Sequence, residues 1–182
     1  MSWVDKDFEE NIHPYINEIY ESNFNNIKSI YRFDRDNKNK TLDILDKYLG
    51  IDSIIVFKNG SIISFQEKTR RFKNIQYNDF TFEYYNNPLT KEKGEWFKLL
   101  AQFYFYGYMN ENENKYLKYF IINISILRLA INTISLKVLT EKIKQNNLHG
   151  KANFITIPFK WIIKLNKKHK GLIYTYYDTN NR

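Results

Sequence analysis

The sequence of 182 residues contains no cysteine and only three histidines. Without cysteine the chain can form neither a disulfide framework nor a thiolate nucleophile. Three histidines are a poor supply of ligands for a zinc site. A site for Mg²⁺ or Mn²⁺ built from oxygen ligands remains open, because these cations need neither sulfur nor imidazole.

A long uninterrupted apolar run is also missing. The most apolar segment, residues 119–134, is interrupted by polar side chains at Asn123, Ser125, Arg128 and Asn132. The amino terminus lacks the apolar core that is typical of a secretory signal. We therefore expect an intracellular protein without a membrane partner, located in the cytoplasm or, in a eukaryote, in the nucleus.

The residues that are present indicate a globular chain with a basic surface. Hydrophobic residues make up 43% and charged residues 26% of the sequence, which is the composition of a folded protein. The length suits one well-buried core, so we expect a single domain over residues 1–182. The net charge of +8 favours a polyanionic partner such as DNA, although such an excess can also serve solubility alone.

Apolar spacing and turn signals predict an α/β protein with a central mixed β-sheet flanked by helices. In chain order, the expected elements are a helix over 8–22, strands over 52–57, 61–68 and 79–85, a helix over 95–106 ended by Gly107, a strand over 117–124, a short helix capped by Ser125, a surface helix over 135–145, a strand over 154–157, and a short helix near a lysine cluster.

Two of these strands form a predicted hairpin. Residues 52–57 and 61–68 are rich in Ile, Val, Phe and Ser, and the dipeptide Asn59-Gly60 separates them. An Asn-Gly pair between two such segments is strong local evidence for a β-hairpin. The hairpin carries an acid, Asp52, where its first strand begins and a Gln-x-Lys sequence near the end of its second.

The register of this hairpin decides which side chains meet. Side chains alternate between the two faces of a strand, so Gln66 and Lys68 share one face and Glu67 lies on the other. A two-residue Asn-Gly loop pairs Asp52 with Glu67, whereas a three-residue Lys-Asn-Gly loop with a left-handed glycine pairs Asp52 with Gln66. We predict the three-residue loop, because it gathers an acid, an amide oxygen and an ammonium group on one face; a β-bulge near Asp52 would have the same effect.

These residue types have a direct chemical use. The Asp52 carboxylate and the Gln66 amide oxygen can hold Mg²⁺ or Mn²⁺ against a scissile phosphate, where the metal polarises the phosphoryl oxygen and lowers the pKa of a bound water. Lys68 can stabilise the developing charge and orient the attacking hydroxide. The backbone carbonyl of Glu67 is an expected further ligand. The pattern predicts a metal-dependent nuclease.

The segment from Gly50 to Ile55, followed by the sequence Phe-Gln-Glu-Lys at residues 65–68, resembles the PD-(D/E)xK, or restriction-endonuclease-like, nucleases. It is similar to the Gln-x-Lys variant of Mrr-like restriction endonucleases, some Holliday-junction resolvases and one class of homing endonuclease. The resemblance implies metal-binding roles for the Asp and Gln positions and a water-assisting role for the Lys. It also implies an acid from the first helix, for which Glu18 is the best candidate and Glu21 and Glu10 are rivals.

Basic residues outside the hairpin are candidates for DNA contacts. One group directly follows the Gln-x-Lys strand and the other lies near the carboxyl end of the chain; the candidates are Arg70, Arg71, Lys73, Lys167, Lys168 and Lys170. A charge run is also often just a solvated face. Cleavage of both strands of a duplex needs two sites, so we expect a homodimer or a higher homo-oligomer.

Two alternatives remain open at this level. The chain can instead be a non-catalytic nucleic-acid-binding or scaffold domain that keeps the nuclease fold without turnover. Glu83, in the third predicted strand, is either a supporting acid of the site or an exposed strand charge. The convergence of Asp52, Gln66 and Lys68 in space distinguishes the nuclease from a binding module, which needs only the basic surface.

Overall fold

The structure is a computed structural model that describes residues 3–33, 48–87, 89–134, 143–145 and 152–179. Within these ranges no helix is long and apolar enough to cross a membrane. The elements in chain order are α1 (Trp3–Asn23), β1 (Ile27–Arg32), β2 (Ser53–Phe57), β3 (Ile62–Arg70), a 3₁₀ helix (Phe72–Tyr77), β4 (Asp79–Asn87), β5 (Glu92–Lys93), α2 (Glu95–Lys98), β6 (Phe103–Met109), β7 (Tyr116–Asn123), α3 (Ile124–Asn132), β8 (Ile143–Gln145), β9 (Asn153–Pro158), α4 (Phe159–Lys168) and β10 (Ile173–Asp178).

The expected α/β class with a mixed sheet is confirmed. Six strands form one sheet in the order β1-β2-β3-β6-β7-β10, in which β3 and β6 run parallel and every other neighbouring pair is antiparallel. A parallel pair needs a long crossover connection. Here the crossover from β3 to β6 contains β4, β5 and α2. A second sheet has the order β5-β4-β9-β8 and is antiparallel.

Helix α1 covers one face of the six-stranded sheet. It is longer than the segment 8–22 that periodicity predicts, and it buries a stripe of residues spaced four apart. Phe65 from β3 and Phe105 from β6 belong to the same hydrophobic core as this stripe. The buried stripe of α1 consists of Phe8, Ile12, Ile16 and Tyr20, and Phe24 continues it just beyond the helix end.

The other face of the sheet is covered by the second sheet together with α3 and α4. Tyr104, Tyr106 and Phe120 from the six-stranded sheet share a core with residues of β4, β9 and both helices. The principal partners are Phe80, Phe82, Leu127, Ile131, Ile155, Ile157, Phe159 and Ile162. Strand β6 is therefore buried on both faces. This double burial explains why a helix was wrongly predicted over 95–106.

The helix predicted over 95–106 ends at Lys98, and residues 103–109 form the strand β6. Phe105 packs toward α1, whereas Tyr104 and Tyr106 pack toward the second sheet. A strand with two buried faces has no polar alternation, so its apolar run imitates a helical face. Gly107, which was predicted to end the helix, lies within β6. Only glycine fits at this position, because a Cβ there would stand 2.6 Å from the ring of Tyr116.

Three further differences concern local signals. Asn123, not Ser125, caps α3, since its side chain accepts a hydrogen bond from the Ile126 N–H. Strands β1 and β10 have no counterpart among the predicted elements. Residues 143–145 form β8 where a surface helix over 135–145 is predicted, and the rest of that helix lies outside the described residues.

Candidate active site

The hairpin of β2 and β3 has the predicted three-residue loop. The Phe57 N–H donates to the Ser61 carbonyl at 2.9 Å, and the Gly60 N–H donates to the Phe57 carbonyl at 2.9 Å. Gly60 has a φ of 83°, in the left-handed region that favours glycine. The paired residues run from Val56 opposite Ile62 to Ser53 opposite Phe65. This register, continued by one residue, brings Asp52 opposite Gln66, as predicted.

The Asp52 carboxylate is bound at this position by β3. Its Oδ2 accepts a hydrogen bond from the Gln66 side-chain amide at 2.6 Å and another from the Glu67 backbone N–H at 2.7 Å. The Asp52 backbone N–H donates to the Phe65 carbonyl at 2.8 Å. Hydrogen bonds to an ionised carboxylate are stronger than neutral ones. The acid and the amide are thus fixed against each other.

The carbonyl oxygen of the Gln66 side chain, Oε1, is buried and accepts no hydrogen bond from any residue that the structure describes. It lies against Gly50, where a Cβ would stand 3.1 Å from this oxygen and 3.2 Å from the Leu99 backbone. Gly50 has a φ of 57°, which also favours glycine. A buried acceptor without a donor is unfavourable, so a water, an ion or a ligand that binds this oxygen would stabilise it.

Lys68 lies on the same face of β3 as Gln66, with its ammonium 5.3 Å from the centre of the Phe154 ring. Burial lowers the pKa of Lys68. The charge of Arg70 lowers this pKa further, whereas the carboxylates of Glu95, Glu83 and Asp52 raise it. The ammonium therefore lies among acidic groups in a poorly hydrated environment.

Two acids near Lys68 come from the crossover between β3 and β6. Glu83 lies on β4, and its pKa is raised by burial and by the neighbouring charge of Glu95. Glu95 begins α2 and accepts a hydrogen bond from the hydroxyl of Tyr104 at 2.7 Å. Burial raises the pKa of that hydroxyl well above its usual value, and the Glu95 charge contributes. Sequence reasoning missed Glu95, because no local pattern indicates this contact.

The side chain of Glu67 points to the opposite face of β3. Its carboxylate accepts hydrogen bonds from Tyr20 at 2.9 Å and from Ser53, and it pairs with Arg32 at 3.3 Å. Arg32 also donates to Asn17 of α1 at 2.6 Å. This side chain therefore connects α1, β1, β2 and β3, and only the Glu67 backbone N–H reaches Asp52.

The first-helix acids are separated from Gln66 and Lys68. Glu18, Glu21 and Glu10 are exposed on α1, which packs on the Glu67 side of the six-stranded sheet. A supporting acid was predicted in α1 because the resemblance to the PD-(D/E)xK nucleases implies one in the first helix. In this structure the carboxylates with the largest electrostatic effect on Lys68 are Glu95 of α2 and Glu83 of β4.

The basic residues predicted to contact DNA fall into two groups. Arg70 is partly buried and donates to Thr81 at 3.1 Å. Arg71 pairs with Glu113 at 3.4 Å and lies over the Phe8 ring at 4.3 Å. The exposed group consists of Lys73 on the 3₁₀ helix, Lys167 and Lys168 in the last turn of α4, and Lys170 just after it.

The donors available to a divalent cation at this site are oxygen atoms. Among the described residues, no group of three or more His, Asp or Glu side chains is placed to hold a metal. The Asp52 carboxylate and the unpartnered Gln66 carbonyl oxygen are nevertheless the hard oxygen donors that Mg²⁺ and Mn²⁺ prefer. Because an amide NH₂ cannot bind a cation, Gln66 must present its oxygen. In the structure the Gln66 NH₂ faces Asp52 and the oxygen faces Gly50, so the two residues fit the ion once the amide rotates to bring its oxygen beside Asp52.

Replacing Glu67 by Gln should destabilise the fold strongly. Arg32 would keep its charge and lose a partner whose side chain is only 7% exposed, which costs about 3 kcal/mol or more in the free energy of unfolding. Glu113→Gln is the matched control, because it breaks a pair with side chains 28% and 38% exposed and should cost about 1 kcal/mol or less. Urea denaturation measures both values, and equal losses would contradict the structural role of Glu67.

Replacing Lys68 by Met should stabilise the folded protein at neutral pH. Burial lowers the Lys68 pKa below the 10.5 of an exposed lysine, so at pH 7 the folded state binds this proton less tightly than the unfolded chain does. That unfavourable contribution fades as the pH rises from the folded-state pKa toward 10.5. The gain in unfolding temperature should therefore shrink at alkaline pH.

The control for this measurement is Lys58→Met in the exposed hairpin turn, which should leave the unfolding temperature unchanged. A lower unfolding temperature for Lys68→Met at pH 7 would show that attraction by the surrounding carboxylates outweighs the burial of the ammonium.

Comparison with protein-family models and with curated proteins supplies no relative from which a role can be transferred. No protein-family model matches the chain, and no curated protein matches it significantly. The function is therefore argued from the geometry and chemistry of Asp52, Gln66, Lys68 and their surroundings.

Proposed function

We propose that this protein is a metal-dependent DNA endonuclease, an enzyme that hydrolyses phosphodiester bonds with Mg²⁺ or Mn²⁺. The single observation that carries the proposal is the hydrogen bond between Asp52 and Gln66 across the hairpin, with Lys68 on the same face of β3. This chemistry needs an acid, an amide that turns its oxygen toward the metal, and a poorly hydrated ammonium on one face.

The strand order supports a restriction-endonuclease-like fold. Strands β1, β2 and β3 form an antiparallel meander preceded by a helix, and β6 lies parallel to β3 after a crossover. This arrangement is compatible with the resemblance of the Asp and Gln-x-Lys positions to the PD-(D/E)xK nucleases. Restriction, homing or junction resolution are the corresponding settings.

Asp52 and Gln66 would hold the cation, which when bound polarises a phosphoryl oxygen and lowers the pKa of a water. Asp52 is oriented for this by the Glu67 N–H, independently of its side-chain partner. Lys68 stabilises the negative charge that develops on the phosphate and orients the attacking water. Its position beside the Phe154 ring limits competing hydration, which strengthens its electrostatic effect.

Exposed lysines of α4 are proposed to bind the DNA backbone outside the site. Lys160, Lys164, Lys167 and Lys168 recur at helical spacing and are all exposed, whereas Phe159 is buried on the other side of the helix. Lys170 and, on the 3₁₀ helix, Lys73 extend the basic surface. Arg70, which donates to Thr81 of β4, is proposed to act closer to the site, whereas Arg71 lies over Phe8 on the α1 side of the sheet. Phosphate contacts of this kind position the duplex without reading its sequence.

A homodimer or a higher homo-oligomer is proposed for cleavage of both strands, because one site cuts one strand at a time. In a symmetric dimer the two sites would face the two strands through the same surface of each subunit.

One observation favours a second function, a non-catalytic nucleic-acid-binding domain that retains the fold. The Asp52 Oδ2 atom is already bound by two hydrogen bonds within the hairpin. A carboxylate satisfied in this way can be purely structural. The basic surface would then be the functional part of the molecule.

Substitutions in the site should abolish metal-dependent cleavage. Supercoiled, linear and branched DNA are incubated with Mg²⁺, Mn²⁺ or EDTA, and the cleavage rate of the natural protein is compared with that of Asp52→Asn and Lys68→Ala. Loss of the Lys68 charge should slow cleavage by about 10²–10³-fold, the usual effect of removing one group that stabilises a transition state. Asp52→Asn should be inactive, because the carboxylate that holds the cation is gone.

Lys58→Ala is the matched control, since it removes an exposed charge from the same hairpin. Cleavage that survives both site substitutions would remove these residues from the mechanism. No cleavage of any substrate, with DNA binding retained, would favour the non-catalytic function.

The double substitution Lys167→Gln and Lys168→Gln should flatten the salt dependence of DNA binding. Each lost phosphate contact lowers the slope of log K against log salt by about 0.9, so two contacts change it by about 1.8. The control is Lys28→Gln with Lys58→Gln, two exposed lysines near β1, at the opposite edge of the sheet from β10. Fluorescence anisotropy measures the slopes, and an equal change in both double variants would contradict a specific α4 surface.

A further inference from the structure

Polar side chains form a row across three neighbouring strands on the face that carries Lys68. Asp52 is hydrogen-bonded to Gln66, and Gln66 is the register partner of Tyr104 on the parallel strand β6. Register partners project to the same face of a sheet. The Tyr104 hydroxyl, at the end of this row, donates to the Glu95 carboxylate at 2.7 Å. The row therefore ends in a second acid, which comes from α2.

The short helix α2 is held firmly although it has one turn. Gly94 packs so closely on β4 that a Cβ there would stand 2.8 Å from the Glu83 carbonyl oxygen. Trp96 stacks on Phe82 with the ring centres 4.3 Å apart. Arg128 donates to the Trp96 carbonyl at 2.9 Å and to the Leu99 carbonyl at 2.7 Å. These contacts fix the backbone on both sides of Glu95.

Several carboxylates lie on the Lys68 face of the sheet. Glu95, Glu83 and Asp52 all act electrostatically on Lys68, and so does Arg70. The Gln66 side-chain oxygen on this face has no hydrogen-bond donor among the described residues. Carboxylate and amide oxygens are the ligands that Mg²⁺ and Mn²⁺ prefer, so Glu95 is a suitable additional donor.

We propose that Glu95, held in place by Tyr104, is a cation-binding residue of the Asp52 and Gln66 site. It takes the place of the acid expected from α1, which covers the other face of the sheet. It also supplies the second carboxylate that is missing where Gln66 occupies an acid position. The inference rests on the proposed function, because it concerns the same metal.

The test is isothermal titration calorimetry with Mn²⁺ in the absence of DNA. Tyr104→Phe should weaken Mn²⁺ binding about tenfold, since removing a group that orients a metal ligand costs about 10–100-fold, and Glu95→Gln, which removes the ligand itself, should weaken it about 100-fold or more. Glu95→Gln keeps an acceptor for the Tyr104 hydroxyl, and thermal unfolding verifies that each variant folds. Glu92→Gln, an exposed acid three residues earlier, should bind Mn²⁺ as the natural protein does.

Asp52→Asn distinguishes a failure of the Glu95 role from a failure of the proposed metal site. If Asp52→Asn loses Mn²⁺ binding and Glu95→Gln retains it, the role of Glu95 is overturned while the proposed metal site stands. If the natural protein binds no Mn²⁺, the metal-dependent function is overturned together with the role of Glu95. Weakened binding in both variants, with the Glu92 control unchanged, supports the proposal.

Discussion

The site depends on one carboxylate that is bound by the strand opposite it. Asp52 accepts hydrogen bonds from the Gln66 amide at 2.6 Å and from the Glu67 N–H at 2.7 Å, and both contacts require the same hairpin register. A shift of one residue would reverse the faces of the whole strand. It would turn Gln66 and Lys68 toward α1 and Glu67 toward the second sheet. The left-handed Gly60 and the three-residue loop therefore determine which residues can act together.

Strand β3 separates two different uses of charge. Its odd-numbered side chains face α1, where Glu67 is paired with Arg32 and hydrogen-bonded to Tyr20. Its even-numbered side chains face the second sheet, where the Gln66 oxygen has no donor among the described residues and Lys68 has a lowered pKa. The first set is satisfied internally, as expected of groups that hold the fold together. In the second set, Gln66 and Lys68 are less well satisfied than Arg70, which donates to Thr81. Groups with a perturbed pKa occur often at functional sites.

Local rules predicted the parts of the structure that local geometry controls. The hairpin, its register and the pairing of Asp52 with Gln66 follow from a turn signal and from strand alternation. The sequence could not distinguish β6 from a helix, because Phe105 and Tyr104 are buried in cores on opposite faces. Glu95 was missed because its place is determined by Tyr104, which lies nine residues away on a strand that was predicted to be helical.

The basic residues show the same limit of prediction from sequence. Net charge predicted a polyanionic partner but could not show which basic residues are exposed, because exposure depends on tertiary contacts. Arg71 lies over Phe8 and pairs with Glu113, whereas Lys167 and Lys168 are exposed on the outer face of α4. A position next to the Gln-x-Lys sequence therefore did not predict whether a basic side chain is available for DNA.

The most direct test is a crystal structure of the protein with Mn²⁺, using anomalous scattering to locate the ion. The expected result is an anomalous peak bounded by the Asp52 carboxylate and the Gln66 carbonyl oxygen, on the Lys68 face of β3. A crystal at saturating Mn²⁺ with no peak there, or with the ion only on the Glu67 face, would contradict a metal site built by this hairpin.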